Sequence, residues 1–387
     1  MERLTGKTLT FPSRLLTVSE WATAGGGTLI RHPLVRPMDP TGAIGRACVG
    51  SWRAAYDLLA KTYDGGSWLV EGKNARVLLW KWRLPNGGVE ELFLTFARDG
   101  GLLCEDPFWL PFYPLLRPTE RPEQMTVMAP EPEMEHFTGE YVFFGGKSNW
   151  GHWLIDWLSN AHFLENHAEL DGKTLVVNKM TAWQRETLRH LGIDRQFLEL
   201  DVEGMCGLYT FDSLWVIHGH PLPARADYIR RRLARPAREK RKRVYLSRAT
   251  MAPLHRVENE DEVQALFRAR SFEIVYPEKL SLTEKIDLLG GAEIVATPPG
   301  SASVNYLLFT GDHAVNVNFA PSFMRENTPL NWVIGGMSYV VPRMDRTIVV
   351  YGERAAGLPA EASIDIAETY PPQAVAAAVD VAEAMLA

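Results

Sequence analysis

The residues best equipped for chemistry lie in Asn149-Trp-Gly-His152-Trp-Leu-Ile-Asp156. Wound as one helix over 149–167, this stretch separates into two faces. Trp150, Trp153, Leu154, Trp157, Leu158, Ala161 and Leu164 share one side at helical spacing, the pattern of a core-facing stripe. Asn149, His152, Asp156 and Asn160 share the other. His152 and Asp156 are one turn apart, so their side chains are neighbours. An imidazole beside a carboxylate is equipped for proton transfer. The plainer alternative is a pair that only orders the start of the helix.

A second stretch is suited to binding an anion. In Ile294-Val-Ala-Thr-Pro-Pro-Gly300-Ser301-Ala302-Ser-Val-Asn305, a short apolar strand runs into a loop without bulky side chains, and a helix starts at once. Exposed N–H groups and the positive end of that helix attract negative charge. Gly300 lets the backbone approach an anion, and Ser301 can cap the helix or donate to a phosphate. An ordinary strand-to-helix turn is the plain alternative. Neither the spaced-glycine dinucleotide fingerprint nor the P-loop lysine motif is present. Arg248 follows the predicted strand Arg243–Leu246, at the edge where open parallel sheets bind ligands. Its planar fork suits a diphosphate as lysine does not. The alternative is a loop arginine paired with Glu258 or Glu260. The basic run Arg238–Arg243 reads as a solvated face.

The elements that must position these residues change along the chain. Its 387 residues suggest two or three domains, and 46% hydrophobic with 23% charged residues is a soluble globular composition. A net charge of −6 gives no general attraction to nucleic acid. The three cysteines, Cys48, Cys104 and Cys206, form neither a disulfide framework nor a metal-spaced cluster, which fits a reducing cytoplasm. No basic-then-apolar signal peptide opens the sequence, and no apolar run approaches the ~20 residues of a membrane span. Peripheral contact with a membrane stays open.

Residues 1–135 read as a β-rich region. Ala75–Arg83 and Val89–Ala97 flank Pro-Asn-Gly-Gly, a hairpin signal, and Asp99-Gly-Gly101 marks another turn. A proline-rich passage, Pro111 to Pro132, reads as a linker or an extended wrap. Strands and helices then alternate. Residues 136–238 predict strands at Tyr141–Phe144, Thr174–Val177 and Ser213–Ile217, with helices at 149–167, Ala182–Leu191 and Ala224–Leu233. Residues 239–387 predict strands at Arg243–Leu246, Glu273–Tyr276, Ile294–Ala296 and Ala314–Val317. Helices are expected at Asn259–Arg268, at Leu282–Leu289 and from Ser301. The pattern predicts an α/β protein with two doubly wound lobes and a cleft between them. Pro371–Ala387 reads as an amphipathic helix that packs across the first lobe or binds a partner. His218 and His220 lack further ligands at metal spacing and read as structural. Among twelve tryptophans, Trp183 and Trp332 are the candidates for stacking on a sugar.

Five motifs in order resemble glycosyltransferase family 61. They are Asn149–Asp156, Ser247-Arg248, Arg256–Glu260, Phe272–Ser281 and Val295–Asn305, covering about 135–320. The resemblance implies a GT-B-like pair of Rossmann-like lobes, inversion at the anomeric carbon and no required metal or other cofactor. It implies a nucleotide-sugar donor and a glycan or lipid-linked glycan acceptor, as in capsule or exopolysaccharide synthesis. The setting would be cytoplasmic, at or near the inner face of the membrane. Carried onto this chain, Asp156 is the leading general base, with His152 positioning it or taking its place. Arg248, Gly300, Ser301, Ala302 and Asn305 would hold the donor diphosphate. Asn149, Arg256 and Glu284 would support the site. His152 and Asp156 are expected across the cleft from Gly300, with the base on the first lobe and the donor on the second. Many members carry His-Gly where this chain has Pro299-Gly300. That departure supports an alternative, a catalytically weakened relative serving as a sugar-binding or scaffold subunit. A two-lobed nucleotide-binding enzyme such as a sugar-nucleotide epimerase is a third reading, opposed by the missing glycine fingerprint.

Overall fold

The computed structural model describes residues 8–16, 24, 28–31, 68–83, 89–100, 102–103, 116–118, 124–130, 132–202, 206–218, 223–233, 242–250, 257–323, 343, 346–354 and 367–387. The chain is a mixed α/β protein that divides into two compact units. The first draws on Met1–Val35 and Lys61–Leu222, the second on Pro223–Ala387.

In the first unit the strands are β1 (Thr8–Leu16), β2 (Leu29–Arg31), β3 (Trp68–Arg83), β4 (Val89–Phe96), β5 (Leu102–Leu103), β6 (Leu116–Pro118), β7 (Gln124–Pro130), β8 (Glu133–Gly145), β9 (Thr174–Asn178), β10 (Phe197–Leu200) and β11 (Cys206–His218). They join in one sheet ordered β10-β9-β8-β11-β3-β4-β5-β1-β7-β6, with β2 also on β3. The β10-β9-β8-β11 set is parallel, while β11–β3 and β3–β4 are antiparallel. The β-rich region and the first α/β set therefore share one sheet, because β11 pairs with β8 on one side and β3 on the other. The proline-rich passage is partly strand, since β7 pairs along β1 and with β6. The expected hairpin forms, while its turn at 84–88 lies outside the described residues.

Strand β8 is far longer than its predicted apolar part, Tyr141–Phe144. Its first half carries exposed Glu133, Met134, Glu135 and His136, which hide a strand from a hydrophobic pattern. Between Phe211 and Ser213 the β8–β11 register slips, so Asp212 stands opposite Thr138 and Gly139. Gly139 has φ +103°, and the Asp212 carboxylate accepts its N–H at 3.1 Å. Such a bulge increases local coiling. The long β3–β4 hairpin reaches the carboxyl end of β9, where Glu91 meets Asn178.

The second unit has an all-parallel sheet of β12 (Lys242–Leu246), β13 (Glu273–Val275), β14 (Ala292–Thr297), β15 (Val315–Ala320) and β16 (Thr347–Tyr351). Its order is β13-β12-β14-β15-β16. Every residue of β15 is buried, as expected where both faces of a parallel sheet are covered. The C-terminal helix is part of the second unit. Its Val375, Ala378, Val379 and Ala382 pack into this unit's own core with Tyr245, Phe267 and Phe319.

The helices are α1 (Trp150–His152), α2 (Ala161–Asn166), α3 (Ala182–His190), α4 (Pro223–Leu233), α5 (Glu260–Ala269), α6 (Leu282–Gly290), α7 (Ala302–Phe309) and α8 (Pro372–Ala384). Thr181 with Gln184 and Ser281 with Glu284 close capping boxes on α3 and α6. Among the described residues no helix is long and apolar enough to cross a membrane.

Candidate active site

Strand order decides where each unit can bind. In the first unit the parallel strands run β10-β9-β8-β11, third, second, first and fourth in sequence, so the order reverses between β8 and β11. In the second unit the reversal falls between β12 and β14. Open α/β sheets bind ligands beyond the strand ends at such reversals. The tryptophan segment leaves β8, Ser247-Arg248 leaves β12, and the Gly300 loop leaves β14. Both candidate sequences thus occupy reversal points, each in its own unit.

At β8 the chain turns through Gly145 and Gly146, with φ +79° and +154°. A Cβ on Gly145 would stand 1.9 Å from the Trp157 ring, and one on Gly146 would stand 2.0 Å from Asn178 Oδ1. The helix after this turn is not the single α-helix expected over 149–167. A π-helical turn, Trp153–Trp157, and a 3-10 turn, Leu158–Asn160, separate α1 from α2. Trp153, Leu154, Leu158, Ala161 and Leu164 are buried as expected, while Trp150 and Trp157 are half-buried. The wider turn rotates the residues beyond it. Asn160, expected on the polar face, is buried and donates to the Phe144 carbonyl at 3.0 Å. Short π segments inside helices recur at functional sites.

His152 and Asp156 face one another as their spacing predicts. His152 Nδ1 lies 2.6 Å from Asp156 Oδ2, with the two side chains 30% and 29% exposed. Asn149 accepts the His152 backbone N–H at 3.2 Å and so caps α1. His152 thus meets the carboxylate through Nδ1, the geometry in which a carboxylate accepts an Nδ1–H. The pair is partly open to solvent. Beside it, Trp183 meets Trp150 edge-on at 5.1 Å, and the buried Trp153 indole donates to Thr187 at 2.7 Å.

In the second unit, β12 and β14 are neighbours with Tyr245 opposite Ala296, so Arg248 and the Gly300 loop leave the same sheet edge. Gly300 has φ +91°, a left-handed backbone that favours glycine. Ser301 is already helical and makes no capping bond with its side chain, so of the two roles offered for it, cap or phosphate donor, the cap is not formed. Ser303 instead donates its hydroxyl to the Gly300 carbonyl at 2.8 Å. Ala302 and Asn305 are buried, and Asn305 turns back to donate to the Ala302 carbonyl at 3.2 Å.

Arg248 is half-buried. Burial pushes its guanidinium below the usual range, while Glu278 and Glu260 oppose that shift. Glu260 braces the strand end: it accepts the Tyr245 hydroxyl at 2.8 Å, the Ser247 hydroxyl at 2.5 Å and Gln264 Nε2 at 3.1 Å. Its neighbour Asn259 ties the chain before α8, exchanging bonds of 2.9 Å with the Tyr370 carbonyl and N–H. Glu278, in the 3-10 turn Pro277–Lys279 that follows β13, is a neighbour of Arg248 that sequence patterns did not single out. Its signal was the Pro-Glu pair inside the Phe272–Ser281 motif. Glu284 closes the α6 capping box, with Ser281 donating its N–H and hydroxyl at 2.8 and 2.7 Å. Arg256, His220, Trp332, Cys48 and Cys104 lie outside the described residues, as does the His218 side chain. Cys206 is buried, which pushes its thiol up to about 12.

Residues 150–320 match the glycosyltransferase 61 family model. The match supports a glycosyltransferase. It begins at the tryptophan segment and ends with β15, so it takes in His152, Asp156, Arg248 and the Gly300–Asn305 turn. It leaves out β8 and the β3–β4 hairpin, on which the first of these sites is built. No curated protein matches the chain.

Proposed function

We propose that this chain is an inverting, metal-independent glycosyltransferase that moves a sugar from a nucleotide-sugar donor to a hydroxyl of a glycan or lipid-linked glycan. The observation that carries the reading is the His152–Asp156 contact at the end of β8, within the family-matched segment. Inverting transfer needs one base to take the acceptor proton as the anomeric carbon gains oxocarbenium character. With Asp156 on Nδ1, His152 Nε2 is the proton acceptor, and Asp156 orients the ring and stabilises the imidazolium that forms. This gives the base to His152 and the orienting role to Asp156. The leaving nucleoside diphosphate carries growing negative charge. Arg248 meets that charge with a bidentate fork, and backbone amides from Gly300 to Ala302 meet it at the positive end of α7. Gly300 keeps the approach clear. Asn149 and Asn305 support the two loops, and Glu284 acts through its own helix start.

Two variants test the two halves separately. Calorimetry with nucleoside diphosphates, with and without magnesium, should find one that binds without metal and loses about 10–100-fold in affinity in Arg248→Ala. Asp156→Asn should keep that affinity and lower turnover with the matching nucleotide sugar by about 10²–10⁴-fold. Full turnover in Asp156→Asn would remove the pair from the mechanism. Undiminished binding in Arg248→Ala would remove the diphosphate assignment.

A further inference from the structure

Glu91 lies on β4, outside the family-matched segment, and its side chain is 9% exposed. Its Oε2 accepts Asn178 Nδ2 at 2.9 Å, and Lys81 Nζ lies 3.7 Å from its Oε1. Asn178 ends β9 and is fully buried. A carboxylate cannot donate, so Glu91 fixes which way the Asn178 amide points. The amide NH2 faces Glu91, and Oδ1 faces the loop after β8. There Gln184 Nε2 approaches Asn178 Oδ1 at 3.5 Å and donates to the Lys147 carbonyl at 3.2 Å. Gly146 rests against the same Oδ1, closely enough that no Cβ would fit. The loop resting on this floor ends at Asn149, the residue that caps His152.

We propose that Glu91 and Asn178 are positioning residues for the His152–Asp156 pair, which makes the β3–β4 hairpin part of the catalytic unit. The inference rests on the reading of His152 as the base held by Asp156. The hairpin sets the amide, the amide sets the Gly146–Lys147 loop, and the loop sets the entry to α1. Buried polar groups held in this way define one arrangement of a site rather than merely adding stability.

The test needs no substrate. Nitrogen-15 spectra of the histidine-labelled full chain report which ring nitrogen of His152 carries the proton. The wild type should show a single Nδ1-protonated tautomer at this residue, lost in Asp156→Asn. Asn178→Asp removes the donor and sets two carboxylates face to face, so it should lose the single-tautomer signature although it touches neither His152 nor Asp156. The swap Glu91→Gln with Asn178→Asp again pairs an amide donor with a carboxylate and should restore the signature. That rescue is not expected if the network merely holds the sheet together. An unchanged signature in Asn178→Asp overturns the inference, and so does a folded swap that shows no recovery. If Asn178→Asp does not fold, the swap alone decides. A wild type without the Nδ1 tautomer, or with one indifferent to Asp156→Asn, overturns the His–Asp reading instead.

Discussion

At the scale of single residues, the first site depends on what cannot be added as much as on what is present. Gly145 and Gly146 give the backbone a route from β8 to His152 that passes against Trp157 and Asn178. Gly145→Ala should cost about 1–2 kcal/mol for the left-handed backbone and about 1–3 kcal/mol more for displacing Trp157. Urea unfolding checks this, and a loss no larger than the backbone cost alone would mean that Trp157 has another place to go. The sequence made the His152–Asp156 contact legible, because residues one turn apart meet in almost any helical geometry. It did not show which ring nitrogen meets the carboxylate. Contact through Nδ1 is a matter of side-chain rotation that spacing does not encode. Glu284 illustrates the converse. From sequence it has a supporting role at the site, and Ser281 three residues earlier makes it a capping partner.

At the scale of elements, the charged edge beside β9 and β10 makes a prediction about acid. Asp201 follows β10, and Lys81 and Lys179 both reach its carboxylate. Partial burial raises its pKa, but the two lysines outweigh that and hold it at about 2. A carboxyl whose folded pKa is depressed contributes stability that is present above its ordinary value of 3.8 and lost as pH falls toward about 2. Its side chain is 37% exposed, so solvent screening limits the contribution to about 1 kcal/mol. Melting temperature measured from pH 5 to pH 2 should therefore fall more steeply in wild type than in Asp201→Asn. Parallel curves would show that the lysines do not couple to folding.

At the scale of the whole chain, the family-matched segment is not a folding unit. Residues 150–320 lack β8, the strand between β9 and β11, and lack β16 and α8, which complete the second unit. The two core clusters draw on Val77, Leu79 and Phe143 in the first unit and on Val350 and Val375 in the second, all outside that segment. A fragment of 150–320 should show no cooperative thermal transition by circular dichroism, while the full chain does. A cooperative fragment would mean that the β3–β4 hairpin and β8 are dispensable for folding.

The sequence by itself determined the elements whose signals are local. The alternation of strand and helix from β8 onward, the strand-to-helix turn at Gly300 and the neighbouring of His152 with Asp156 all come from patterns a few residues long. Tertiary structure decided the rest. The π turn that turns Asn160 inward depends on packing, since Trp157 must lie over Gly145. The length of β8 was hidden because its exposed half carries glutamates and a histidine, and pairing with β11 makes it a strand. The joining of the β-rich region to the first α/β set depends on β11 bonding on both edges to partners distant in sequence. Strand order in both sheets is of the same kind, and it places His152 with Asp156 and Arg248 with Gly300 at reversal points. Long-range hydrogen bonding is chosen by the whole chain at once, so no short stretch of residues announces it.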